Sequence, residues 1–169
     1  MTITPESANI ESAVLLKTLA RQRSFLCHTV RDLTDEQAGL RTTASSLCLG
    51  GLIKHVTQAE RGWIDFIVHG APSMEGAEEG WDALFRMQEG ETLAGVLREY
   101  EEVARATEKI VASLPDLEVS HPLPEAPWFE PGASSTARQV LLHVLAETAQ
   151  HSGHADIIRE SLDGAKTMG

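Results

Sequence analysis

His143-Val-Leu-Ala-Glu147-Thr-Ala-Gln-His151-Ser-Gly-His154-Ala-Asp156 places four polar side chains on one helical stripe. At roughly 100° per residue, Glu147, His151 and His154 all fall within about 80° of His143. Val140, Val144, Ile158 and Leu162 share that sector, so the stripe is the apolar side of an amphipathic helix and its polar members are expected to face inward. A buried neutral polar atom without a partner costs roughly 2–7 kcal/mol, and a carboxylate more. Hydrogen bonds, water or a metal ion must therefore satisfy all four. Upstream, Thr136-Ala-Arg-Gln139 has the pattern of a capping box, and Asp163-Gly164 reads as a stop, which predicts a helix ending near Leu162.

Working outward, three more segments carry the helical period. The first runs from about Ile10 to Leu33 on Ile10, Val14, Leu15, Leu19, Phe25, Leu26, Val30 and Leu33. Thr34-Asp-Glu-Gln37 then suits one short helical turn before Gly39. The second long helix is expected from about Leu47 to His69, capped by Ser45 or Ser46 and stopped by Gly70, with Leu49, Leu52, Val56, Ala59, Trp63 and Ile67 on its stripe. Its Gly50-Gly51 pair costs about 1 kcal/mol per glycine relative to alanine, which points to close approach by another backbone or a ligand, or to loose packing in a first turn. Ala71 to Gly90 reads as a long acidic connection with Trp81, Leu84, Phe85 and Met87 as anchors. The third helix is expected from Thr92 to Leu114, where Pro115 ends it. Four prolines then punctuate a loop in which His121, Trp128 and Phe129 either line a pocket mouth or pack the loop down.

Four long helical patterns without a convincing strand predict an all-α chain, a four-helix bundle in a single domain spanning residues 1–169. The long connection predicts a crossover that leaves helices two and three parallel. Apolar residues make up 42% of the chain, and 25 acidic against 14 basic side chains give a net charge of −11, which argues against nucleic-acid or anionic-membrane partners. Cys27 and Cys48 form neither a metal knuckle nor a disulfide framework. With no apolar span and no leader-like start, the expectation is a cytoplasmic protein.

Glu147 and His151 are four residues apart on one face, a spacing that offers a divalent metal two ligands at once. His55 lies on the edge of the second helix's apolar stripe and is the candidate third ligand. Three protein ligands leave a position open for water, a substrate oxygen or a thiol. Glu147 with His151 also fits a purely structural buried pair. His143 and His154 are assigned supporting roles, with His154 as the candidate catalytic proton shuttle. His28, His69 and His121 have no evident link to the site.

Two segments carry a family resemblance. Ser46-Leu-Cys-Leu-Gly-Gly-Leu-Ile-Lys-His55-Val-Thr-Gln-Ala-Glu-Arg-Gly-Trp63 and Leu141-Leu-His-Val-Leu-Ala-Glu147-Thr-Ala-Gln-His151-Ser-Gly-His-Ala-Asp-Ile-Ile-Arg-Glu160 resemble the second and fourth helices of the DinB-like superfamily of metal enzymes. Many members use three histidines. Glu147 in the middle place is similar to the ligand set of the N-terminal domain of the mycothiol-dependent maleylpyruvate isomerases. The resemblance implies an up-down-down-up bundle, a divalent metal (usually zinc, sometimes nickel), a homodimer, and mycothiol as thiol cosubstrate. It thereby implies an S-transferase or isomerase acting on a small electrophilic substrate. Two other functions stay open at this level: a hydrolase using metal-bound water, and a non-catalytic metal-binding helical dimer.

Overall fold

The computed structural model describes residues 5–74 and 81–167. Four long helices dominate it: α1 (Pro5–His28), α3 (Leu49–His69), α5 (Leu93–Ser113) and α6 (Ala137–Asp163). Two short ones, α2 (Asp35–Gly39) and α4 (Trp81–Leu84), sit in the connections, with a single 3-10 turn at Ala71–Met74. The described residues are mostly helical, with one minimal ladder among them. The middle of the connection expected between residues 71 and 90, and the Trp81 side chain, fall outside what is described.

Local chemistry sets the helix ends where the sequence places them. Thr34 and Thr136 each accept from the backbone N–H three residues on, and the glutamines at those positions bond back to the cap, closing two capping boxes. Gly164 stops α6 in the left-handed conformation at φ 79°, and Gly70 takes φ 71° after α3. Thr92 caps α5 by accepting from Gly95. The expected serine cap of α3 is corrected: Cys48 occupies that place without a side-chain capping bond, and the Ser45 hydroxyl accepts from Leu47 instead, three residues too early to cap.

The ladder is a second correction. β1 (Ser120–Pro122) pairs antiparallel with β2 (Ser134–Thr136), in the register Ser120 with Thr136 and Pro122 with Ser134. Three residues are too few to show a two-residue period, and a proline at the strand end reads as loop. The hairpin returns the chain to the start of α6, where Ala137 N–H donates to the Val119 carbonyl.

The main helix pairings place α1 on α5 and α6, and α3 on α5 and α6. Pairings along α1 and α6 rise together, from Glu11 with Arg138, through Gln22 with Ser152, to Thr29 with Arg159. Along α3 and α5 they also rise together, from Lys54 with Glu91 to Arg61 with Glu99. Along α3 and α6 they run oppositely: His55 faces Glu147 and His151, while Trp63 faces His143. Buried Leu26, Leu52, Ile53, Val56, Val96 and Ile158 fill one half of the interior, and Leu19, Ile64, Phe66, Val111, Val140 and Val144 the other. Ile10 and Val14, expected on the inner stripe of α1, are exposed; the interior begins at Leu19.

A polar layer lies between these halves. Glu60 of α3 is fully buried and accepts from Arg23 of α1 through both carboxylate oxygens, Nε to Oε2 at 3.1 Å and Nη2 to Oε1, and from the Thr107 hydroxyl of α5. Tyr100 is buried beside it, and burial together with the Glu60 charge pushes its phenol far up, keeping it protonated. Arg159 of α6 is likewise buried and donates to the carbonyls of Thr29 and Arg31, pinning the turn that follows α1.

Candidate metal centre

Glu147 and His151 project from successive turns of α6, and His55 reaches them from the second turn of α3. His55 Nε2 lies 3.7 Å from Glu147 Oε2, and His151 Nε2 lies 3.5 Å from the same oxygen. One donor atom from each of the three residues falls within 4.8 Å of the others. A tetrahedral ion with ligand bonds of 2.0–2.1 Å separates its ligands by about 3.3 Å, so small side-chain movements suffice to close the three around one cation. The set fits: two imidazole nitrogens and a carboxylate oxygen, from two helices, are donors that a borderline divalent metal takes readily.

Electrostatics favour the ligand form of both histidines. Burial holds the His55 imidazole below its usual pKa, with Glu147 opposing the shift. Burial also lowers that of His151, reinforced by His55 and again opposed by Glu147. Both rings are therefore biased towards the neutral state that binds metal. Glu147 is the more open member, half-buried between the two buried rings.

Two further rings bound the cluster. Phe85, just beyond α4, stacks on His55 with centroids 4.1 Å apart and planes inclined by 22°, and lies 6.2 Å from His151. His154, half-buried one turn along α6, brings its Nδ1 to 3.3 Å from His151 Nδ1. One of those nitrogens must carry the shared proton while the other accepts. When the proton sits on His151 Nδ1, its Nε2 presents a lone pair towards Glu147.

His143 does not join them. It is exposed and packs against Trp63, at 4.7 Å between ring centroids. The helical projection hides the reason: eight residues of α6 separate His143 from His151, about 12 Å along the axis. His28 and His69 end their helices exposed, and His121 packs on Phe66 with Nε2 3.1 Å from the Ile67 carbonyl. Trp128 is 75% exposed, with Phe129 bridging it to Trp63. A groove of about 300 Å³ between α3 and α5, lined by Arg61, Asp65, Glu102 and Thr107 among others, lies on a different seam from the cluster.

Phe85 is the neighbour that sequence reasoning missed. It was visible as an anchor in the connection, but an aperiodic segment carries no sign of which helix it meets. The glycine pair was the available signal. A Cβ on Gly51 would lie 2.0 Å from the Phe85 carbonyl oxygen, so the close backbone approach that those glycines implied is that of the Phe85 segment itself.

Among the described residues no helix is long and apolar enough to cross a membrane. No curated protein matches the chain. The sequence model of the mycothiol-S-transferase family, in contrast, matches residues 14–164, a span that holds His55, Phe85, Glu147, His151 and His154. The chain belongs to the mycothiol-S-transferase family.

Proposed function

We propose that the chain is a single up-down-down-up four-helix-bundle domain acting as a metal-dependent mycothiol S-transferase, with zinc held by His55, Glu147 and His151. The parallel pairings of α1 with α6 and of α3 with α5 support the bundle topology. The observation that carries the activity is the convergence of three complementary donors, at 3.5 and 3.7 Å, in a chain of this family. A bound divalent cation supplies the charge that keeps a thiol, with an ordinary pKa of about 8.5, as thiolate at neutral pH.

The chain's own groups do the rest. His55 and His151 offer Nε2 lone pairs, and Glu147 offers the negative charge that balances the site. The Phe85 ring closes one side of His55 and keeps water from that face. Glu147, the most open of the three, marks the side from which thiol and electrophile enter. With the shared proton on His151 Nδ1, the His154 Nδ1 accepts from it, and His154 is the group placed to take a proton from the site and pass it outward.

The test is thioether formation by zinc-loaded protein from mycothiol and a small fluorogenic electrophile, with each component omitted in turn. Product is expected only when all three are present. Consumption of an ester or amide electrophile at the same rate without mycothiol would instead identify a hydrolase and overturn the transferase reading.

His154→Ala separates positioning from ligation. Turnover is expected to fall by roughly 10–100-fold while zinc stays at one per chain, the usual consequence of removing a ligand's outer hydrogen-bond partner. Unchanged turnover would remove His154 from the reaction.

A further inference from the structure

The N-terminal turn of α3 and the segment after α4 fit together in a way that ordinary core packing does not require. The Phe85–Arg86 backbone lies directly on Gly51, and the Met87 side chain on Gly50, in the first turn of α3. A Cβ at Gly51 would stand 2.0 Å from the Phe85 oxygen and 2.3 Å from its carbonyl carbon, both backbone atoms that cannot swing aside. At Gly50 the obstacle is the end of the Met87 side chain, with Sδ at 2.3 Å, which can move. Three more contacts fasten the segment. The Cys48 thiol donates to the Phe85 carbonyl at 3.6 Å, Lys54 Nζ donates to the Arg86 carbonyl at 3.4 Å, and Lys54 also pairs with Glu91 at 2.7 Å. Glu91 in turn accepts from the Gln88 N–H at 2.6 Å.

All of these anchors lie within one or two turns of His55, and the side chain they deliver is the ring stacked on it. An imidazole on a helix turns about two side-chain torsions, and the terminal one is broad. The His151 ring meets His55 edge-on at 4.8 Å and Phe85 covers its face at 4.1 Å, so two walls inclined to each other by 51° fix the ring plane.

The geometry assigns Phe85, seated on Gly51, as the positioning residue that holds the His55 ring in the plane aiming Nε2 at Glu147. Glycine at position 51 is then a requirement of the site rather than of the helix. Alanine would favour the helix by about 1 kcal/mol, yet it would displace the segment that orients the ligand. The consequence for metal affinity rests on the zinc reading above; the orientation of the ring does not.

The test uses the full chain in four variants: Phe85→Leu, Phe85→Tyr, Gly51→Ala and Gly50→Ala. In metal-free protein, the nuclear Overhauser contact between the His55 and His151 ring protons reports the ring plane. It is expected to persist in Phe85→Tyr and Gly50→Ala and to vanish in Phe85→Leu and Gly51→Ala. Zinc affinity, measured by chelator competition, is expected to fall by roughly 10–100-fold in the latter pair only. Phe85→Leu keeps an apolar side chain, so it decides the matter should Gly51→Ala fail to fold. Persistence of the contact in Phe85→Leu, or its loss with zinc affinity unchanged, overturns the assignment. Absence of zinc binding in the unsubstituted chain would defeat the metal reading alone, and the metal-free spectra would still decide the role of Phe85.

Discussion

Alanine in place of Glu147 is expected to abolish stoichiometric zinc binding while leaving the metal-free fold almost as stable as before. Two arguments support that separation. Glu147 is the one anionic donor of the cluster and lies within 3.7 Å of both Nε2 atoms, so its loss leaves two neutral imidazoles and no compensating charge. The loss of affinity should exceed the roughly 10–100-fold typical of deleting an outer hydrogen-bonding partner. The metal-free chain, in contrast, makes little use of this carboxylate. It is half-buried, and the two rings that it faces are already biased towards neutrality by burial. Removing it takes away the group that opposes both shifts, which lowers the two imidazole pKa values further and keeps the rings neutral. Zinc at a hundred times its dissociation constant should stabilise the unsubstituted chain by about 2.7 kcal/mol and the variant not at all. Elemental analysis after dialysis, and thermal melts with and without zinc, measure both halves. One zinc per chain retained by Glu147→Ala would remove this residue from the ligand set.

The elements legible in the sequence are those whose signals are local or strictly periodic. The short turn begun at Thr34, the capping box at Thr136 and the glycine stops at Gly70 and Gly164 require only neighbouring residues, and the structure places helix ends there. Glu147 and His151 were legible as a pair because i and i+4 on a helix are adjacent whatever the tertiary fold. His55 required more: an edge position on an apolar stripe, which the structure places against α6.

Where sequence reading fell short, the missing quantity was position along an axis or across space. His143 falls within about 80° of His151 in projection but sits two turns away, so a view down the helix puts both on one stripe. Phe85 belongs to an aperiodic connection, and only the Gly50-Gly51 pair pointed to a close approach there, with loose first-turn packing as its other reading. The two three-residue strands carry no readable period. The Arg23–Glu60 pair was readable and unread: Arg23 lies between Leu19 and Leu26 on one stripe, Glu60 between Val56 and Ile64 on another. Opposite charges on two apolar stripes must meet or be strongly destabilising.

That pair is the basis of the second large effect: Glu60→Ala should destabilise the fold by about 3–5 kcal/mol, the cost of breaking a buried ion pair from one side. Against a total of about 5–15 kcal/mol for a domain, this is a large fraction. Arg23 is buried, guanidinium groups do not shed their charge in proteins, and the Thr107 hydroxyl loses its acceptor in the same step. Glu108 offers Arg23 a partial alternative at 4.0 Å, but its side chain is 55% exposed, and the exchange is screened by solvent. Arg23→Ala should cost less, since a stranded carboxyl group can neutralise itself by taking up a proton and a guanidinium cannot. Replacing both, as Arg23→Met with Glu60→Leu, removes the charges together and should restore stability to near that of the parent chain or above it. Urea denaturation of the three variants gives the ordering directly. A Glu60→Ala midpoint equal to that of the double variant would show that the buried guanidinium finds adequate compensation elsewhere, and would limit the role of the carboxylate to that of one hydrogen-bond acceptor among several.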